Sequence, residues 1–173
     1  MKTLTFLVCL ALAVFSWDAQ ATEVANGRDV GVGFSIGEPT GIVGKLFVGP
    51  ENAIDVGLSF YRAYGRCEVN GKFDRCSGDS SLGLNADYLW QYNLLPGAAR
   101  LDWHIGAGGR MWLWNNDSNA SDFALAARMP IGLDFMPPKP EFLEVFLEFT
   151  PTFYVAPGVG FDLEAALGVR FYF

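Results

Sequence analysis

The chain has 173 residues and a formal net charge of -7. Its length fits one domain, and its charge excludes the basic footprint that a nucleic-acid-binding protein needs. Hydrophobic residues make up 51% of the chain and aromatic residues 15%, yet no apolar run after residue 21 is long enough for a membrane-spanning helix. This combination indicates strands with one apolar and one polar face.

Residues 1–21 have the three parts of a secretory signal peptide. Lys2 supplies the positive charge, residues 4–15 are apolar, and Ala19-Gln20-Ala21 has the spacing of a cleavage site. The apolar run is too short to span a membrane as a helix. We therefore expect cleavage after Ala21, which leaves residues 22–173 as one exported domain.

Eight runs of alternating apolar and polar residues follow, and each is predicted to be a strand. Gly- and Pro-rich turns separate most of them, and the longest link is the polar segment 63–80. The runs cover about 28–36, 42–48, 53–62, 81–92, 100–114, 122–135, 141–154 and 160–173.

The last run alternates most regularly. Seven apolar residues from Phe161 to Phe173 lie on one side, and the chain ends on Phe173. This ending resembles the terminal strand of bacterial outer-membrane β-barrels, in which a final Phe and the apolar residues before it form a signal for the assembly machinery. The residues that match this assembly signal are Val169, Phe171 and Phe173.

The mature chain is therefore similar to the small OmpA- and OmpX-type barrels. The resemblance implies an all-β fold, an eight-stranded antiparallel transmembrane up-and-down β-barrel. It also implies a location in the bacterial outer membrane, the lipid bilayer and the barrel assembly machinery as partners, and a monomeric state.

Alternation alone leaves open which face is outside, because a soluble lipocalin-like barrel would turn its apolar face inward. Two patterns favour an apolar exterior. Glycines accumulate on the charged face, as suits the crowded interior of a narrow barrel. Aromatic residues of the apolar face gather towards the strand ends, which is typical of a lipid-facing band. One predicted rim has Trp90, Tyr92, Trp103, Phe135, Phe171 and Phe173, and the other has Phe60, Phe123, Phe153 and Phe161.

None of the residues assigned to the apolar face is charged. Charged residues within the strands lie on the opposite face, and buried charges need partners. We therefore predict a charge network in the lumen, formed by Lys45, Asp87, Asp102, Arg110, Arg128, Glu144, Glu148, Asp162, Glu164 and Arg170. The same face also carries Asp29, Asp55, Arg100 and Asp134.

Two cysteines, Cys67 and Cys76, remain in the mature chain, and both lie in the link 63–80. An even pair in an exported chain predicts a disulfide. Asn70-Gly71 between them is a favoured hairpin turn. With both termini in the periplasm this link faces the exterior, where it could bind an extracellular ligand.

Catalytic or cofactor chemistry has little support in the sequence. His104 is the only histidine, and outer-membrane lipid A deacylases pair such a histidine with a serine two residues later, where this chain has Gly106. The sequence carries no metal-binding, nucleotide-binding or other cofactor motif. We expect a non-enzymatic protein for envelope structure, or for surface recognition or adhesion through the outer loops. A narrow pore for small solutes or ions and a lipid-modifying outer-membrane enzyme remain as alternatives.

Overall fold

The computed structural model describes residues 28–61, 65–69, 72–76, 81–95, 99–114 and 123–173, with the backbone alone at 61, 65–69, 72–76, 81 and 114. The predicted signal peptide, 1–21, lies outside the described residues. Across these ranges no helix has the length and apolarity needed to cross a membrane. The strands are β1 Val30–Gly37, β2 Thr40–Gly49, β3 Asn52–Tyr61, β4 Gly65–Val69, β5 Lys72–Cys76, β6 Ser81–Leu95, β7 Arg100–Trp114, β8 Phe123–Arg128, β9 Ile131–Met136, β10 Leu143–Ala156 and β11 Gly160–Tyr172.

Nine of these strands form one antiparallel sheet that closes into a ring. The order around the ring follows the chain, with β8 and β9 both lying between β7 and β10, and β11 pairs with both β10 and β1. Residues 28 and 173 lie at the same end of the ring, here called the near end. At the opposite end, the far end, lie residues 37–40 and 156–160, together with the strand ends at 61, 81, 114 and 123.

Strands β8 and β9 correspond to the sixth predicted strand, which the structure divides at Met129-Pro130. Both strands lie between β7 and β10, one after the other along the same position in the ring. Pro130 has no N–H to donate, but its carbonyl accepts a hydrogen bond from Gly106 N at 2.8 Å. Met129 N donates to Pro151 O at 3.0 Å on the other side. The ring therefore stays closed across the interruption.

The predicted polar link 63–80 contains two strands of its own, which the sequence analysis missed. Strands β4 and β5 pair with each other as an antiparallel hairpin, with Val69 opposite Lys72. In its backbone register Cys67 lies opposite Asp74 and Cys76 opposite Gly65. Diagonal neighbours in such a ladder are about 7–8 Å apart, beyond the usual Cα separation of a disulfide. The cysteine side chains lie outside the described residues, so the disulfide stays a prediction.

Alternation along the strands places apolar residues outside and polar residues inside. In β1, Val32, Phe34 and Ile36 are 45%, 62% and 64% exposed, whereas Gly33 and Ser35 between them are buried. The structure thus contradicts the lipocalin-like alternative, in which the apolar face would be buried.

Candidate functional site: the interior of the ring

The interior is filled by three groups of side chains stacked from one end to the other. A first apolar cluster lies at the near end, where β2, β9 and β11 end. A second lies at the far end, around Trp112 and Tyr154. Charged and polar residues occupy the space between the two clusters. The near-end cluster consists of Phe47, Ala53, Leu89, Met136 and Tyr172.

Glycines make room for the large interior side chains. The Phe146 ring of β10 lies over Gly168 of β11, its cross-strand partner, where a Cβ would overlap the ring. The Trp112 ring covers Gly83 in the same way, 2.7 Å from the position a Cβ would take. The interior of a small closed ring of strands is only just wide enough for side chains, and these glycines fit that limit.

Asp134 of β9 is the centre of the polar layer, and its side chain is fully buried. Its Oδ2 accepts hydrogen bonds from Lys45 Nζ at 2.9 Å and from Gln91 Nε2 at 2.8 Å. His104 Nδ1 lies 2.8 Å from the same oxygen. Three strands therefore converge on one carboxylate.

Glu144 of β10 forms the next part of the layer. Arg170 Nη1 donates to its Oε1 at 2.6 Å, and the Tyr172 hydroxyl donates to its Oε2 at 2.8 Å. Lys45 Nζ lies 3.3 Å from Oε2, so Lys45 bridges Glu144 and Asp134. Arg170 also binds Asp55 through Nη2.

Arg128 of β8 connects the carboxylates of Glu148 and Asp87, further towards the far end. Its Nη2 donates to Glu148 Oε1 at 2.8 Å, and its Nε lies 3.2 Å from Asp87 Oδ1. Thr150 also donates to Glu148, at 2.9 Å. His104 Nε2 lies 3.6 Å from Glu148 Oε2, which connects this group to Asp134.

Arg110 forms a separate pair with Glu164, nearest the far end. The Arg110 guanidinium carbon lies 5.5 Å from the centre of the Trp112 ring, within cation–π range. This pair therefore connects the polar layer to the far-end apolar cluster.

Several of these contacts cross the interior from one wall to another. Lys45 on β2 and Asp134 on β9 are separated by three strands in either direction around the ring. Arg170 on β11 reaches Asp55 on β3, and Arg110 on β7 reaches Glu164 on β11. Side chains that meet in this way fix the opposing walls relative to each other.

Nine of the ten residues predicted for the network are buried in the interior; Asp162 is only partly buried, near the far end. Asp102 binds Arg100 at 2.7 Å and Asn93 at 2.8 Å instead of the central group. Asp55 and Asp134 had been placed on the inward face but outside the predicted network. Gln91, Thr150 and Tyr172 were missed, because uncharged polar residues give no charge signal in the sequence.

The predicted assembly-signal residues lie on the outer face of β11, beside β1. Val169 pairs with Phe34 and Phe171 with Val32, and Phe173 N donates to Val30 O at 2.9 Å. Among the described residues no cluster of His, Cys, Asp and Glu has an arrangement that could hold a metal ion.

Comparison with known proteins gives one informative likeness. No family model matches the chain, and no curated protein matches it. Among solved structures, the crystal structure of the N-terminal β-barrel domain of OprF from Pseudomonas aeruginosa is similar, with a TM-score of 0.59 and 15% sequence identity. The match covers 83% of this chain and 95% of that one. The ring is therefore a closed antiparallel β-barrel close in fold to that domain.

Proposed function

We propose that the chain is a bacterial outer-membrane β-barrel protein that spans the bilayer with eight strand positions, β8 and β9 sharing one of them. Its role is non-enzymatic: it supports the envelope and presents the far-end loops for surface recognition or adhesion. The likeness to the barrel domain of OprF supports this location, because that domain has the same fold.

The inverted distribution of polarity is the observation that carries the proposal. Among the described residues, thirty-four large hydrophobic residues are exposed, whereas seventeen polar or charged residues are buried inside the barrel. A water-soluble protein rarely exposes a large contiguous apolar surface. A closed barrel in lipid requires one, and its closed ladder leaves no edge unpaired in the hydrocarbon.

Aromatic residues near both ends support a fixed depth in the bilayer. Tyr92 and Trp103 stack across β6 and β7 at the near end, with ring centres 5.0 Å apart. Phe153 and Phe161 pair across β10 and β11 at the far end, 4.9 Å apart. Such belts are typical of the two membrane–water interfaces. The far end, with the β4–β5 hairpin, would then face the exterior.

The interior network supports a structural role over conduction or catalysis. Ion pairs between opposite walls occupy the middle of the lumen, and apolar clusters lie above and below them. His104 is fully buried between Asp134 and Glu148, which separates it from the acyl chains that a lipid-modifying enzyme would attack.

A narrow pore is the second candidate, because the lumen is lined by charged side chains. Purified protein should insert into vesicles and show a heat-dependent shift in electrophoretic mobility, as closed barrels do. In planar bilayers we expect no regular conductance steps. Water-soluble behaviour without detergent would contradict the membrane assignment, whereas steady single-channel steps would favour the pore.

A further inference from the structure

An apolar groove runs along the outer wall at the near end, where β1 meets β11. It has a volume of 620 Å³. The β9–β10 turn closes one side, since the Phe142 ring lies 6.2 Å from the Phe171 ring and Phe142 O accepts a hydrogen bond from Tyr172 N. The groove is lined by Arg28, Val32, Gly33, Phe34, Phe142, Phe171, Tyr172 and Phe173.

Arg28 has the one charged side chain of this lining. It precedes β1 at the near end and is partly exposed. It makes no hydrogen bond or ion pair with another described residue. A guanidinium at the mouth of an apolar groove matches a ligand that has a hydrocarbon body and a phosphate at one end.

We propose that this groove is a binding site for an anionic phospholipid of the leaflet at the near end. One acyl chain lies against Val32, Phe34 and Phe142, and the phosphate binds Arg28. The inference rests on the proposed function, because the lipid can reach the groove only if the barrel is in a bilayer.

The position of Arg28 favours a bilayer lipid over a protein partner. The near end lies at a membrane–water interface if the barrel spans, and arginines at that depth bind lipid head groups while their stems stay in the apolar layer. Asp29 is exposed beside Arg28, and its carboxylate should weaken the attraction of an anionic head group. One charge near the membrane surface changes the free energy of binding an anionic lipid by about 1 kcal/mol, which corresponds to about a fivefold change in affinity.

Photocrosslinking from the groove tests the site directly. The protein carrying Phe142→p-benzoylphenylalanine is reconstituted in vesicles of equal phosphatidylglycerol and phosphatidylcholine with identical acyl chains. The matched control is Phe149→p-benzoylphenylalanine, on the outer face of β10 and outside the groove. Mass spectrometry of the adducts should show phosphatidylglycerol enriched at position 142 and an even ratio at position 149.

Two charge variants then test the head-group contact at Arg28 separately from the acyl-chain contact in the groove. In the Phe142 photoreactive protein, Arg28→Gln should lower the phosphatidylglycerol enrichment about fivefold, and Asp29→Asn should raise it. Equal lipid ratios at both positions, or adducts to residues 22–27 or to a second copy, would overturn the proposal. Failure of the protein to float with the vesicles would instead refute the proposed function.

Discussion

Arg170→Met should destabilise the barrel more than any other single loss of charge near Glu144. Arg170 is 1% exposed and binds Glu144 and Asp55, with Asp134 at 3.8 Å. Without it, Lys45 is the remaining cation in contact with Glu144 and Asp134 among the described residues. Removing one partner of a buried pair costs about 3–5 kcal/mol, because the other charge stays desolvated and unpaired.

Methionine is chosen so that the loss of stability reflects the missing charge and not a loss of packing. The Arg170 guanidinium lies 3.8 Å from the centre of the Phe146 ring, and a thioether keeps an apolar contact there. The control is Arg100→Met, whose partner Asp102 lies near the end of the barrel and whose side chain is 15% exposed. Its loss should cost less than the loss of Arg170, because Asp102 keeps the hydrogen bond from Asn93 at 2.8 Å.

The assay is urea unfolding in phospholipid vesicles, followed by tryptophan fluorescence and by the mobility of the folded form on gels. Adding Glu144→Gln to Arg170→Met should recover part of the lost stability, because it removes one of the uncompensated charges. The reasoning is refuted if Arg170→Met costs no more than Arg100→Met, or if the double variant is the sum of its singles.

Three further predictions follow from the outer wall, the interior and the hairpin. Leu147→Arg, on the lipid-facing side of β10, should cost about 2–4 kcal/mol of stability in the same assay, and Leu125→Arg, nearer a strand end, should cost less. If the barrel tolerates arginine equally well at both positions, the assignment of these side chains to the lipid-facing side is contradicted. Gly168→Ala should cost about 1–3 kcal/mol, because its Cβ would lie 2.6 Å from Phe34 O and overlap the Phe146 ring. Gly109→Ala, whose Cβ would meet only Ala126 O at 3.5 Å, should be neutral, and equal losses would disprove the crowding argument. Intact mass of the unreduced mature protein should show one disulfide between Cys67 and Cys76, and two alkylatable thiols would refute that prediction.

Alternation carried much of the fold prediction because a strand in a barrel wall has two different environments. It predicted the all-β antiparallel chain, which is confirmed, and the inward position of residues such as Lys45 and Arg170. The same alternation does not reveal where a strand is locally interrupted. Met129 and Ile131 are both apolar and exposed, so the alternation continues through Pro130 although the strand does not.

The hairpin β4–β5 was missed for the opposite reason. Residues 65–76 have no continuous apolar face. Cys67 and Val69 alternate with charged residues in β4, but in the backbone register they lie opposite Asp74 and Lys72, so the segment has the composition of a polar loop. Its strands pair with each other and not with the barrel wall. Backbone hydrogen bonds and a favourable turn sequence can form a hairpin without a buried apolar face, and the hydrophobic pattern of a sequence cannot reveal such a hairpin.

Which charged side chains pair inside the lumen depends on how the strands are arranged relative to each other, and the sequence of a single strand does not contain that information. Lys45 and Glu144 are 99 residues apart in sequence, and Arg170 and Asp55 are 115 apart. Each strand fixes only which face a side chain occupies. Which side chains then meet depends on the stagger of all the strands around the closed ring. Asp162 illustrates the difference. It lies on the inward face of β11, yet the stagger leaves it near the far end and only partly buried, while Glu164, two residues along, reaches Arg110.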